Sequence, residues 1–148
     1  MATTQQQTDT LQLQRTFAAP PERVWEAWTS AEAMSRWFRP ADDYACTVHA
    51  LDVRPGGRYR LELTHAPKGV RHVVSGTYEA VEPPRRLAFT WRWEDNPVMP
   101  DTRVTIELRP RGGGTVLTLT HTRLAEEKLR EDHRHGWTRC LERLAGAL

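Results

Sequence analysis

The chain has 148 residues, with 21 Lys and Arg against 19 Asp and Glu and a net charge of +2. That length fits one domain burying roughly 70% of its unfolded surface, and no run approaches the ~20 apolar residues of a membrane span. Arg15, Arg58, Arg60, Arg71, Arg92, Arg103 and Arg109 alternate with apolar residues instead of forming a block, so the basic balance reads as the wet face of a sheet and no nucleic-acid partner is expected.

Residues 1–10, "MATTQQQTDT", have neither a charged n-region nor an apolar h-region; they read as a disordered polar tail, not a secretory signal, and the expected compartment is the cytoplasm. Residues 11–148 read as a single domain. "LQLQRTF" alternates Leu11, Leu13 and Phe17 with polar residues, a strand pattern. "AAPPERVWEAW" changes period: Pro20 and Pro21 suit a first helical turn, and Val24, Trp25 and Trp28 share a face. Thr29 and Glu32 have the spacing of a capping box, which would start a second short helix carrying Met34 and Trp37 and ending at Pro40.

From there the period is two for about 80 residues. "YACTVHALDV" is a strand with apolar residues on both faces, so its register stays open. "RPGG" at 54–57 is a turn, and "RYRLEL" places Tyr59, Leu61 and Leu63 together. In the next strand, "VRHVVSGTYEAV", Gly76 marks either a bulge or a close approach. "LAFTWRW" puts Leu87, Phe89, Trp91 and Trp93 on one face, "RVTIELRP" does so with Val104, Ile106 and Leu108, and after the "RGGG" turn "TVLTLTHTR" faces Leu117 and Leu119 inward. From about Ala125 the helical period returns, with Leu129, His133, Gly136, Trp137, Cys140, Leu141, Leu144 and Leu148 on one stripe. One strand, two short helices, six strands and a long helix make an α+β layout, most simply an antiparallel sheet with the long helix on one face.

"FAAPPERVWEAWTSAEAMSRWF", "RPGGRY", "GTYEAVEPPRRLAFTW", "GGGTVLTLTHT" and "HGWTRCLERLAGAL" resemble, in order and spacing, the bacterial homologues of the heat-shock protein 90 ATPase activator's C-terminal domain. Those are members of the SRPBCC superfamily, with the START domains and birch-pollen-type allergens. The resemblance covers roughly residues 11–147. It implies a helix-grip fold: a curved seven-stranded antiparallel sheet wrapped around the C-terminal helix, two short helices after strand 1, and commonly a cavity between sheet and helices.

On that fold Trp25, Trp28 and Trp37 sit where the short helices meet the long one, either filling a core or walling a cavity; a large apolar ring with one N–H donor suits both. The same choice stands for Tyr59, Phe89, Trp91 and Trp93. Gly136, mid-helix on the inward stripe, costs up to ~1 kcal/mol relative to alanine, so either the sheet comes close there or space is left open. His121 and His133 face inward and could orient a polar ligand group or serve as an acid–base pair. The cavity candidates are therefore Trp25, Trp28, Trp37, Tyr59, Phe89, Trp91, His121, His133, Gly136 and Trp137.

Catalytic signatures are thin. There is no G-x-S-x-G, Glu62, Glu79 and Glu107 fall on the wet face, and "RGGGT" lacks the lysine of a phosphate loop. His49, His65 and His72 have no ligand spacing with Cys46, and His133 and His135 point apart on a helix, so no metal is expected, and no cofactor. Cys46 and Cys140 read either as two reduced thiols or as one disulfide. The expected function is binding of a small hydrophobic or amphipathic molecule, in a stress-related context, by a monomer or homodimer. The alternatives are a chaperone-associated protein that binds a heat-shock ATPase or its client, and a polyketide-cyclase-like or hydrolase-like enzyme.

Overall fold

The computed structural model describes residues 9–96 and 99–148. The chain runs β1 (Leu11–Phe17), α1 (Pro21–Thr29), α2 (Ala31–Trp37), β2 (Tyr44–Leu51), β3 (Arg58–His65), β4 (Val70–Glu82), β5 (Arg86–Trp93), β6 (Thr102–Arg111), β7 (Gly114–Thr122) and α3 (Glu127–Ala147). The seven strands form one antiparallel sheet in the order β1-β7-β6-β5-β4-β3-β2, curved around α3, which is the helix-grip arrangement. Most of the expected tail lies outside the described residues; just before β1, the Asp9 carbonyl accepts the Leu124 N–H at 2.8 Å.

Period-two alternation builds the inner face. Leu11, Leu13 and Phe17 are buried, as are Tyr59, Leu61 and Leu63, then Leu87, Phe89 and Trp91, then Val104, Ile106 and Leu108, and finally Leu117 and Leu119. On the outer face the arginines meet carboxylates: Arg60 with Glu94, Arg71 with Glu62, Arg92 with Asp101 and Arg103 with Glu79. Glu62 also accepts from Thr64 and pairs with His49. Its carboxyl is held down to about 2 by hydrogen bonds from His49, Arg71 and Thr64.

Three local readings are resolved or corrected. The register of β2 shifts between Val48 and Ala50, so Tyr44, Cys46 and Val48 turn inward before the bulge and Leu51 after it. One extra residue swaps the faces, which is why an unbroken alternation failed there. Gly76 marks a close approach: a Cβ there would lie 2.0 Å from the Thr90 carbonyl oxygen. The β4 register shift comes later, between Tyr78 and Ala80.

The capping box at Thr29 and Glu32 does not form. Ser30 caps α2, its hydroxyl accepting from the Ala33 N–H, while the Thr29 hydroxyl donates back to the Trp25 carbonyl. Both residues can cap, and the one whose backbone is already extended does so. Glu32 pairs instead with Arg36, one turn on.

Cys46 and Cys140 are both free thiols. Burial pushes each up to about 12, which keeps them protonated and poorly nucleophilic. No described helix is long and apolar enough to cross a membrane.

Candidate functional site

Between the sheet and α3 lies a cavity of about 780 Å³. Three elements make its walls. β5 contributes Trp91 and Trp93, two residues apart and so on the same face, with His72 from β4 and Leu63 from β3 beyond it. α3 contributes Leu129, His133, Gly136, Trp137 and Cys140, which helical spacing of three and four brings into one stripe. The segment leaving α2 closes the third side with Phe38, Pro40 and Ala41, joined by Tyr44 at the start of β2. Polar groups gather around it: Asp95, Asn96, Asp132, His135 and Arg139.

Gly136 is the reason the helix wall stands back. A Cβ built on it would meet no heavy atom within 4 Å, so the space is left open and the sheet does not come close. Around it the rings pack edge to face: Trp91 to Trp93 with centroids 5.4 Å apart, and Phe38 to Trp91 and to Trp137 at 6.0 Å each. Trp91 and Trp137 lie tilted at 4.8 Å. These separations are in the range where the ring quadrupoles attract.

The three indole N–H groups of this wall are all spent on histidines. Trp93 donates to His133 Nε2 at 3.0 Å and Trp91 to the same atom at 3.4 Å, while His133 Nδ1 bonds the Leu129 carbonyl at 2.9 Å. Two donors aimed at Nε2 require it to be the acceptor, so the proton of His133 is on Nδ1. Trp137 donates to His121 Nδ1 at 3.1 Å, leaving His121 Nε2–H to bond the Thr102 hydroxyl at 2.7 Å; that hydroxyl passes its own hydrogen to the Trp91 carbonyl. The two imidazoles stand with centroids 5.0 Å apart, at 84° to each other. Burial favours the neutral form of both: His121 falls far below the ordinary histidine value, with His133 adding to the effect, and burial lowers His133 against the opposing pull of the Leu129 carbonyl and Asp132.

This network decides what the two histidines can do. Each has both nitrogens engaged by the protein, so neither offers a free lone pair or proton to a guest in the cavity. They hold the tryptophans in place. Other candidates divide by location. Trp91, His133, Gly136 and Trp137 line the main cavity. Trp28, Tyr59 and Phe89 instead border a much smaller inner space of about 10 Å³, which shares Phe38, Trp91 and Trp137 with the main one. Trp37 is fully buried and donates to the Ala27 carbonyl at 2.8 Å, so it closes the core. Trp25 sits half-buried on the shoulder of α1, because the buried face there runs through Val24, Ala27 and Trp28; it borders neither space.

Sequence reasoning passed over Phe38, Tyr44, His72 and the Asp95–Asn96 loop, none of which carries a periodic signal of its own. Cys140 was on the predicted stripe, four residues beyond Gly136, and could have been named. Among the described residues, no group of three or more His, Cys, Asp or Glu side chains is placed to hold a metal ion.

The family of Activator of Hsp90 ATPase homolog 1-like proteins matches residues 18–148. The chain belongs to that family. Among solved structures, a protein from Chromobacterium violaceum is 30% identical with a TM-score of 0.84, over 93% of this chain and 95% of that one. An AHSA1 protein from Silicibacter pomeroyi is 27% identical with a TM-score of 0.81, again over 93% and 95%. A protein from Nitrosomonas europaea is 28% identical with a TM-score of 0.79, over 95% and 94%. Among curated proteins none matches this chain. The family match covers both short helices, the whole of α3 and every lining residue of the cavity.

Proposed function

We propose that this family member binds a small hydrophobic or amphipathic molecule in the cavity between β5 and α3, in the cytoplasm, as a monomer or homodimer. The observation that carries the reading is the open space at Gly136: about 780 Å³ walled by Phe38, Tyr44, Trp91, Trp93 and Trp137, at a helical position where any side chain could have filled it. That volume is in the range of small-molecule sites, which are mostly apolar with a few polar groups to orient the guest. With the indole N–H groups occupied, the inner wall offers ring faces and edges. Any charged or strongly solvated group of the ligand belongs at the rim, near Asn96, His135 and Arg139.

The test is a thermal-shift screen against fatty acids, sterols, flavonoids and aromatic polyketides. A ligand at 100 times its dissociation constant adds ~2.7 kcal/mol to stability, which raises the melting temperature of a domain this size by about 5–10 °C. A flat screen contradicts the reading. It would favour the second one, drawn from the family's description, in which the partner is a chaperone ATPase; a pull-down with that ATPase reads it directly.

A further inference from the structure

Trp28 is 2% exposed, yet its Nε1–H has no hydrogen-bond acceptor among the described residues. The indoles of Trp37, Trp91, Trp93 and Trp137 all have one. A buried donor left unpaired keeps its full desolvation penalty, so a core that satisfies its other enclosed indoles is unusual at this one.

The Trp28 ring borders the inner space, whose volume of about 10 Å³ is close to that of one water-sized atom. Phe38, Trp91 and Trp137 line both that space and the main cavity, so the two adjoin across these rings. The other polar groups at its edge are largely spent: the Tyr59 hydroxyl donates to the Thr90 carbonyl, and Trp91 and Trp137 donate to the histidines. Trp28 and Tyr78 are the remaining lining residues that carry a polar group. A solvent molecule would find two partners at most, the lower end of the two to four that buried waters make, so it would be weakly held and open to displacement. A carbonyl or ether oxygen carried on an apolar frame needs only one donor. A carboxylate would meet no cation there, and burying an uncompensated charge is far more costly.

We infer that the ligand enters with a neutral hydrogen-bond acceptor at its leading end, seated beyond Phe38, Trp91 and Trp137 on the Trp28 Nε1–H. The inference rests on the reading of the main cavity as a ligand site, and it narrows the ligand to a largely apolar ketone, ester or ether.

The test compares two probes of one shape, 9-fluorenone and fluorene, which differ by a carbonyl oxygen. Calorimetric titration of the full-length protein should give fluorenone about tenfold tighter binding than fluorene, although water solvates the ketone better. In Trp28→Phe the affinity ratio should fall to about one. Replacing Trp28 by β-(3-benzothienyl)alanine, which puts sulfur where the N–H stands and preserves the bicyclic shape, should give the same collapse if the phenylalanine variant folds poorly. Equal affinities in the wild-type protein, or a ratio unchanged in both variants, overturn the Trp28 subsite and leave the main cavity standing. Binding of neither probe overturns both.

Discussion

At the scale of single residues the site rests on a division of labour between imidazole and indole. His121 and His133 take three tryptophan N–H groups between them, so the wall facing the cavity is apolar even though three of its rings carry donors. Protonating His133 would put a hydrogen on Nε2, against two indole donors, beside a second imidazole at 5.0 Å. Both folded-state pKa values lie below the ordinary histidine value of 6.5. The unfolded chain therefore binds more protons as pH falls through 6.5. The stability tied to these neutral histidines is complete above that pH and is lost as pH falls toward the native pKa values, at up to ~1.4 kcal/mol per pH unit for each histidine. Asp42, Glu62 and Glu94 are also depressed, and their contributions fade from about pH 5 downward, below the window in which the unfolded histidines first take up protons. Urea unfolding should thus show stability falling as pH drops from 6.5 to 5.5, and a shallower fall in His133→Gln. A flat profile in the wild-type protein would mean that the histidines are not held neutral by the fold.

At the scale of elements, β5 and α3 make the cavity and two glycines set its spacing in opposite ways. Gly76 lets β4 pass against Thr90 with no room for a methyl group, while Gly136 leaves room for much more. Gly136→Ala should stabilise the protein by about 0.5–1 kcal/mol through helix propensity. Gly76→Ala should destabilise it by several kcal/mol, because the obstacle is backbone that cannot turn aside. Chemical denaturation of the two variants checks this, and a similar effect of the same sign from both would refute the spacing. The elements themselves were legible, because alternation and helical stripes are local signals. The face choice of β2 was not: the extra residue between Val48 and Ala50 leaves no compositional mark, and with it went Tyr44 as a cavity wall. The cap of α2 was misplaced by one residue, since Thr29 and Ser30 are chemically equivalent candidates and only backbone geometry separates them.

At the scale of the whole molecule, the cavity is a remainder, the volume that β5, α3 and the chain after α2 fail to fill. Such a remainder depends on contacts between residues far apart in sequence, such as Trp91 with Trp137 and Arg143 with Asp42. Gly136 was its one local trace, an unfavourable residue on a buried stripe. The inward direction of His121 and His133 was legible too, but their partners were not, and those partners turn a candidate acid–base pair into a scaffold. The tryptophans divide for the same reason: Trp37 closes the core, Trp25 sits outside it, and Trp91 and Trp137 face the open space. The central claim is that this space holds a guest. Its most direct test is a fluorescence titration with 1-anilinonaphthalene-8-sulfonate, comparing the native protein with Gly136→Trp. The account predicts saturable binding at one site in the wild-type protein, with quenching of tryptophan emission, and its loss in the variant at an unchanged urea midpoint. Equal binding by both proteins, or none by the wild type, would contradict it.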